Sequence, residues 1–196
     1  MSEQQRELST HVLEEAGQRG ETLLIDDLIE LVARYDDDGR DGVRVDRLVT
    51  YAERLDKGGH PVDPDSIRPA VDERLVDDTT WVGEDALYAT GEGRVSLFPQ
   101  SWYDELADER DVRRYVEVLT TAIADSDAGL QRGGAGEQEA GDGVPESFLL
   151  DVAAVVGGLD RKAVRGEVEQ LRVDGVLAED ADQHPDGNVR LAEEAR

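Results

Sequence analysis

The sequence predicts an α+β protein, mainly helical with short β-hairpins, in which one order of elements occurs twice. Apolar residues recur at spacings of three and four through most of the chain, the period of an amphipathic helix. Twice, after a third helix, that period gives way to short runs separated by Gly, Asp and Asn, the pattern of strands joined by tight turns. The halves also share glycine marks at matching places in the order: Gly42-Val43 and Gly58-Gly59 in one, Gly143-Val144 and Gly157-Gly158 in the other. Two modules are expected, residues 1–99 and 100–196, with a Gly-rich flexible insertion at 126–143.

Across 196 residues, 47 Asp and Glu face 21 Lys and Arg, a formal charge of -26. At 38% apolar residues the chain can still fill a core. Lys57 and Lys162 are the only lysines, and the acids are spread through nearly every polar segment rather than gathered in a tail. This composition resembles that of cytoplasmic proteins from salt-in halophiles, whose carboxylates keep the surface hydrated while multimolar salt screens their repulsion within about 3 Å. The resemblance implies that net charge loses its diagnostic value, since in such a cell a nucleic-acid binder can carry a negative total. An acidic protein that avoids or mimics nucleic acid is the other reading. No run reaches the roughly 18 apolar residues of a membrane span, and the opening MSEQQRELST lacks the basic and apolar regions of a signal peptide. A soluble, cytoplasmic protein without membrane contact is expected. With no cysteine, disulfides, thiolate metal sites and cysteine nucleophiles are excluded; His11, His60 and His184 are far apart, and no metal or cofactor is expected.

In the first half, Leu8, Val12, Leu13 and Ala16 mark a short amphipathic helix within 2–17. Leu24, Leu28, Leu31 and Tyr35, broadened by Leu23, Ile25, Ile29 and Val32, mark a central helix over 21–35. A turn over 36–42 ends it; a calcium loop starting at Asp37 would need oxygen ligands where Gly39 and Leu48 stand. Val45, Leu48, Val49, Ala52 and Leu55 mark a third helix, and Ile67, Ala70, Val71 and Leu75 a fourth. Ser66 is the expected N-cap of that fourth helix, because a start at Pro64 would leave Pro69 inside it. Strands are expected at 79–82, 86–89 and 94–98.

In the second half, helices are expected over 101–106 and 112–124, then over 145–156 and 160–173. Strands follow at 175–177 and 188–191, separated by a polar loop over 180–187. Trp81, Tyr88, Trp102 and Tyr103 can form either a recognition patch or core, and aromatics at such positions are more often core.

A helix, a second helix, a turn, a third helix and a hairpin, given twice, resemble the winged-helix fold, a helix-turn-helix with a β wing. The nearest local likeness is LDRKAVRGEVEQLRVDGVLAED, whose helix face followed by Asp174-Gly175-Val176-Leu177 looks like a recognition helix entering its wing. The resemblance covers most of both halves through pattern more than through particular residues. It implies a tandem winged-helix protein and a list of possible tasks rather than one.

On the last helix, taking Val164 as zero and about 100° per residue, Val168 and Leu171 fall near the same direction; Arg161, Arg172 and Arg165 form a strip beside that apolar face, with Lys162 nearly opposite it. Residues 159–173 hold four bases and three acids in a chain that is strongly acidic elsewhere. Arg190 lies on the expected wing, with His184 in the loop before it. Arginine suits both phosphate clamping and bidentate contact to guanine, so Arg161, Lys162, Arg165, Arg172 and Arg190 are the candidate DNA contacts. The same arginines can equally pair with Glu167 and Glu169 as a solvated face. In the first half, Arg68 and Arg74 stand among Asp65, Asp72 and Glu73, which suits protein contacts.

No Walker loop, GxGxxG after a strand, HExxH or GxSxG is present, and carboxylate pairs say little where acids are everywhere. No catalytic residue is assigned and no enzymatic activity is expected. The leading expectation is a DNA-binding transcriptional regulator acting through the second module. The alternative is an adaptor in a replication, transcription or segregation complex, an architecture resembling that of the segregation and condensation B proteins, although the characteristic second-domain motif of that family is missing. A homodimer through the apolar face of residues 8–16, or another protein partner, is a further possibility.

Overall fold

The glycine just before the first short strand of each module explains much of its topology. Gly42 has φ +66°, and a Cβ there would meet the Val95 carbonyl oxygen at 2.7 Å and collide with Thr90 Oγ1. Gly143 crosses a strand in the same way: a Cβ would meet the Val189 carbonyl oxygen at 3.0 Å. The next residue in each case, Val43 or Val144, then pairs antiparallel with that same valine, Val95 or Val189. A side chain at either glycine would push the short first strand off the last one.

The computed structural model describes residues 7–36, 41–126, 143–179 and 187–192. Most of the Gly-rich insertion, part of the 36–42 turn and the loop carrying His184 lie outside them. The protein is α+β, and the chain divides into two compact units: Met1–Asp77 with Asp85–Leu97, and Asp78–Glu84 with Phe98–Arg196.

The first unit runs α1 (Thr10–Arg19), α2 (Ile25–Tyr35), β1 (Val43–Arg44), α3 (Val45–Lys57), α4 (Pro64–Arg74), β2 (Leu75–Val76), β3 (Leu87–Gly91) and β4 (Arg94–Ser96). Its sheet has the order β1-β4-β3-β2, antiparallel except for β2 on β3. Val12, Ala16, Leu28, Leu31, Leu48, Ala52, Leu55, Ile67 and Val71 bring the four helices into one core with Val43, Leu87 and Val95 of the sheet. The face of α1 is therefore covered within its own module, by α2 and α3.

The second unit runs α5 (Gln100–Leu106), α6 (Val112–Asp125), β5 (Val144–Pro145), α7 (Glu146–Val155), α8 (Arg161–Val173), β6 (Leu177–Glu179) and β7 (Asn188–Leu191), with sheet order β5-β7-β6. Both units thus follow one order: helix, short strand, two helices, hairpin, with the short strand paired to the last one. Leu149, Val152, Val164, Val168, Leu177 and Val189 fill this core.

Four expectations are corrected. The central helix of the first unit starts at Ile25, not 21: Asp27 accepts a hydrogen bond from the Leu24 amide at 2.8 Å, and Leu24, expected in the apolar stripe, is 65% exposed. Helix α4 starts at Pro64 with Pro69 inside it, because Asp63 rather than Ser66 caps it, accepting from the Asp65 amide at 3.0 Å. Residues 79–82 form no strand. Leu75 and Val76 pair with β3 instead, and the segment turns into the second unit, where Trp81 stacks on Trp102 at 5.0 Å and meets Phe148 edge-on at 5.3 Å. Phe98 leaves the hairpin for the same aromatic cluster, so the last strand of the first unit stops at Ser96. Trp81, Tyr88, Trp102 and Tyr103 are all buried, as core rather than as a recognition patch.

Candidate nucleic-acid interface

Helix α8 is placed by its apolar stripe and by its cap. Val164 and Val168 are buried, Asp160 accepts from the Ala163 amide at 2.8 Å, and Gly157-Gly158 ends α7 just before it. The first of those glycines is fixed by crowding, since a Cβ on Gly157 would collide with Tyr115 Oη. Tyr115 shares its hydroxyl proton between the carbonyls of Leu106, at 2.9 Å, and Glu109, at 3.2 Å. Arg110 Nη1 reaches the Gly157 carbonyl at 3.1 Å, so the α7–α8 turn is tied to the start of α6.

The five candidate contacts do not behave alike. Arg161 is ion-paired with Asp151 of α7, and both side chains are partly buried. Arg172, with 22% of its side chain exposed, places Nη2 2.9 Å from Glu146 Oε2. Arg165 donates from Nε to Glu146 Oε1 at 3.3 Å, but 59% of its side chain is exposed. Lys162 is exposed and has no carboxylate partner among the described residues. Arg190 is half-buried on β7, next to the buried Val189, so it stands on the opposite face of the hairpin from the core. Glu146 and Asp151 on α7 thus pair with the α8 arginines.

Sequence periodicity separates one face of a helix from another but does not say which helix lies beside it. Glu146 and Asp151 consequently look like any of the other acids until α7 and α8 are packed together. The same holds in the first unit. Asp36 was expected in a solvated turn, yet it is buried, accepting from Tyr51 Oη at 2.6 Å and from Arg47 Nε at 2.7 Å. Tyr51 Oη in turn accepts from the Ser9 amide at 2.7 Å, and Arg47 Nη2 reaches the Glu7 carbonyl at 2.8 Å, so this cluster fastens the start of α1. Burial, aided by the hydrogen bond to Asp36, pushes the Tyr51 hydroxyl well above the ordinary tyrosine range.

The corresponding helix of the first unit offers no basic strip. Arg68 is paired with Asp46, and Arg74 forks onto both oxygens of Asp26 at 2.7 and 3.0 Å while its Nε reaches the Asp85 carbonyl at 2.7 Å. What α4 leaves exposed includes Asp65, Asp72 and Glu73.

No family model, curated protein or solved structure matches the chain. The site thus rests on its own geometry. Among the described residues, no group of three His, Asp or Glu side chains is placed to hold a metal ion, and no helix is long and apolar enough to cross a membrane. His11 stacks edge-on against Tyr35 at 4.5 Å, and the His60 ring would meet a Cβ on Gly17 at 3.0 Å.

Proposed function

We propose that the chain is a tandem winged-helix protein whose second module binds DNA, as a transcriptional regulator does, with α8 against the duplex and the β6–β7 hairpin as its wing. The observation that carries this reading is the outward face of α8: in a chain of net charge -26, it presents Lys162 without a partner among the described residues and Arg165 with only a long, solvent-exposed one. An exposed ion pair of that kind is worth roughly 0.2–1 kcal/mol, so a phosphate can displace it. The contact set narrows accordingly. Lys162, Arg165 and Arg190 meet the nucleic acid, while Arg161 and Arg172 hold α8 against α7. The shared order of elements in both units, with the short strand paired to the wing, supports the winged-helix assignment.

The test is binding of a labelled pool of random-sequence duplexes across a potassium chloride titration, wild type beside Lys162→Ala, Arg165→Ala. Loss of two phosphate contacts should weaken binding at least about tenfold at the lowest salt and lower the salt slope by about 2. Equal binding by the two proteins would remove the assignment. A second reading, an adaptor that meets protein rather than DNA, is favoured by α4, whose arginines are turned onto Asp46 and Asp26 while Asp65, Asp72 and Glu73 face solvent. Absence of duplex binding at every salt concentration is the outcome that favours it.

A further inference from the structure

Glu146 occupies an unusual place relative to the basic strip. It is the first residue of α7, its side chain is 18% exposed, and its two oxygens serve two different arginines of α8: Oε1 faces Arg165 Nε at 3.3 Å and Oε2 faces Arg172 Nη2 at 2.9 Å. One carboxylate with an arginine on each oxygen has the charge pattern of a backbone phosphate held between two guanidiniums. The two arms are unequal. Arg172 is mostly buried, whereas Arg165 is mostly exposed, and among the described residues only its Nε is engaged, so its four terminal N–H donors stay available.

We infer that Glu146 is a built-in competitor for phosphate, which holds Arg165 in an occupied state and so sets the strength and salt response of DNA binding by this module. The inference rests on the DNA-binding reading of α8. When a phosphate approaches, Arg165 exchanges a long contact to Glu146 for contacts from its terminal nitrogens, while Arg172 keeps Glu146 anchored. At low salt the internal pair is strongest and competes most. As salt rises, screening weakens the competitor together with the attraction to phosphate, so the two changes partly offset each other. The module then loses affinity with salt more gently than its count of phosphate contacts alone requires. That property suits a protein whose surface carries so many acids.

The experiment follows binding of the random-sequence duplex pool to the wild-type chain, Glu146→Gln, Arg165→Ala and the double variant across a potassium chloride titration, with circular dichroism as the check on folding. Glutamine keeps the length of the side chain and a carbonyl acceptor but removes the charge. Glu146→Gln should bind about two- to fivefold more tightly than wild type at the lowest salt, with a steeper salt slope, so that the gap closes as salt rises. In the Arg165→Ala background the gain should vanish, since the competitor then has nothing to release. A gain that persists without Arg165 would reduce the effect to lost bulk charge and overturn the inference. Wild type and Glu146→Gln binding alike would overturn it too, and leave the DNA-binding reading standing. If neither protein binds duplex at any salt, the reading itself fails and the inference falls with it. Binding by Glu146→Gln alone would be the strongest support.

Discussion

Tyr51 in the first unit and Tyr115 in the second are both fully buried, and their hydroxyls meet different chemistry. In the first, Tyr51 donates to a carboxylate, Asp36, which Arg47 also holds, and the Asp36 side chain is only 3% exposed. In the second, Tyr115 donates to two backbone carbonyls, and the carboxylate–arginine cluster lies elsewhere, around the more open Glu146. A buried ion pair is costly to break because the partner left behind stays out of water; an exposed one exchanges with solvent or with a ligand at little cost. The first unit closes Asp36 and Arg47 around the start of α1, whereas Arg165, on the second unit's Glu146, keeps 59% of its side chain exposed.

The largest way to break this comparison is Asp36→Ala. It strands the Arg47 guanidinium and the Tyr51 hydroxyl, and should cost roughly 2–4 kcal/mol in denaturant unfolding, with loss of the hydrogen-exchange protection of α1. Glu146→Gln, which takes the charge from the mostly buried Arg172 but leaves it a carbonyl acceptor, should cost less, roughly 1–2 kcal/mol measured the same way. Similar losses for the two variants would erase the distinction between a structural and an exchangeable pair. Next in size is Gly157→Ala, which drives a methyl group into Tyr115 Oη and should lower stability by roughly 1–3 kcal/mol in thermal unfolding. The matching Gly58→Ala meets its nearest atom, the Leu55 carbonyl oxygen, at 3.1 Å and should cost less.

The smallest effect sharpens the comparison through pH. Burial pushes the Tyr115 hydroxyl up to about 12 from an ordinary value of 10.0. A raised value in the folded state means the contribution is complete below about 10 and is lost as pH rises toward about 12, because the unfolded chain ionises first. Tyr115→Phe should therefore flatten the alkaline limb of the stability curve over that interval. An unchanged limb would show that Tyr115 does not govern it.

Much of the fold was legible in the chain. The helical stripes, the paired Gly-Val and Gly-Gly marks and the hairpins report local backbone requirements, and the structure uses most of them near where the pattern put them, with the helix start at 21, the 79–82 strand and the 175–177 strand displaced or absent. The start of α4 was misread because two local rules conflicted there. The cost of Pro69 inside a helix was set against an Asp63-Pro64 start, and the cap with proline in the first turn won. The 79–82 segment was misread because its Trp81 satisfies a different core from the one its neighbours build.

The candidate site divides along the same line. That α8 carries a basic strip follows from composition and a 3.6-residue period, both properties of contiguous residues, and the sequence alone was enough to determine it. Which carboxylate each arginine meets depends on residues 10 to 26 positions away, brought alongside by the packing of α7 on α8. The same is true of Asp36, whose partners Tyr51 and Arg47 come from α3. In a chain with 47 acids, charge alone names no partner. Helix periodicity fixes direction around one axis, and only tertiary packing sets the distance between axes on which an ion pair depends.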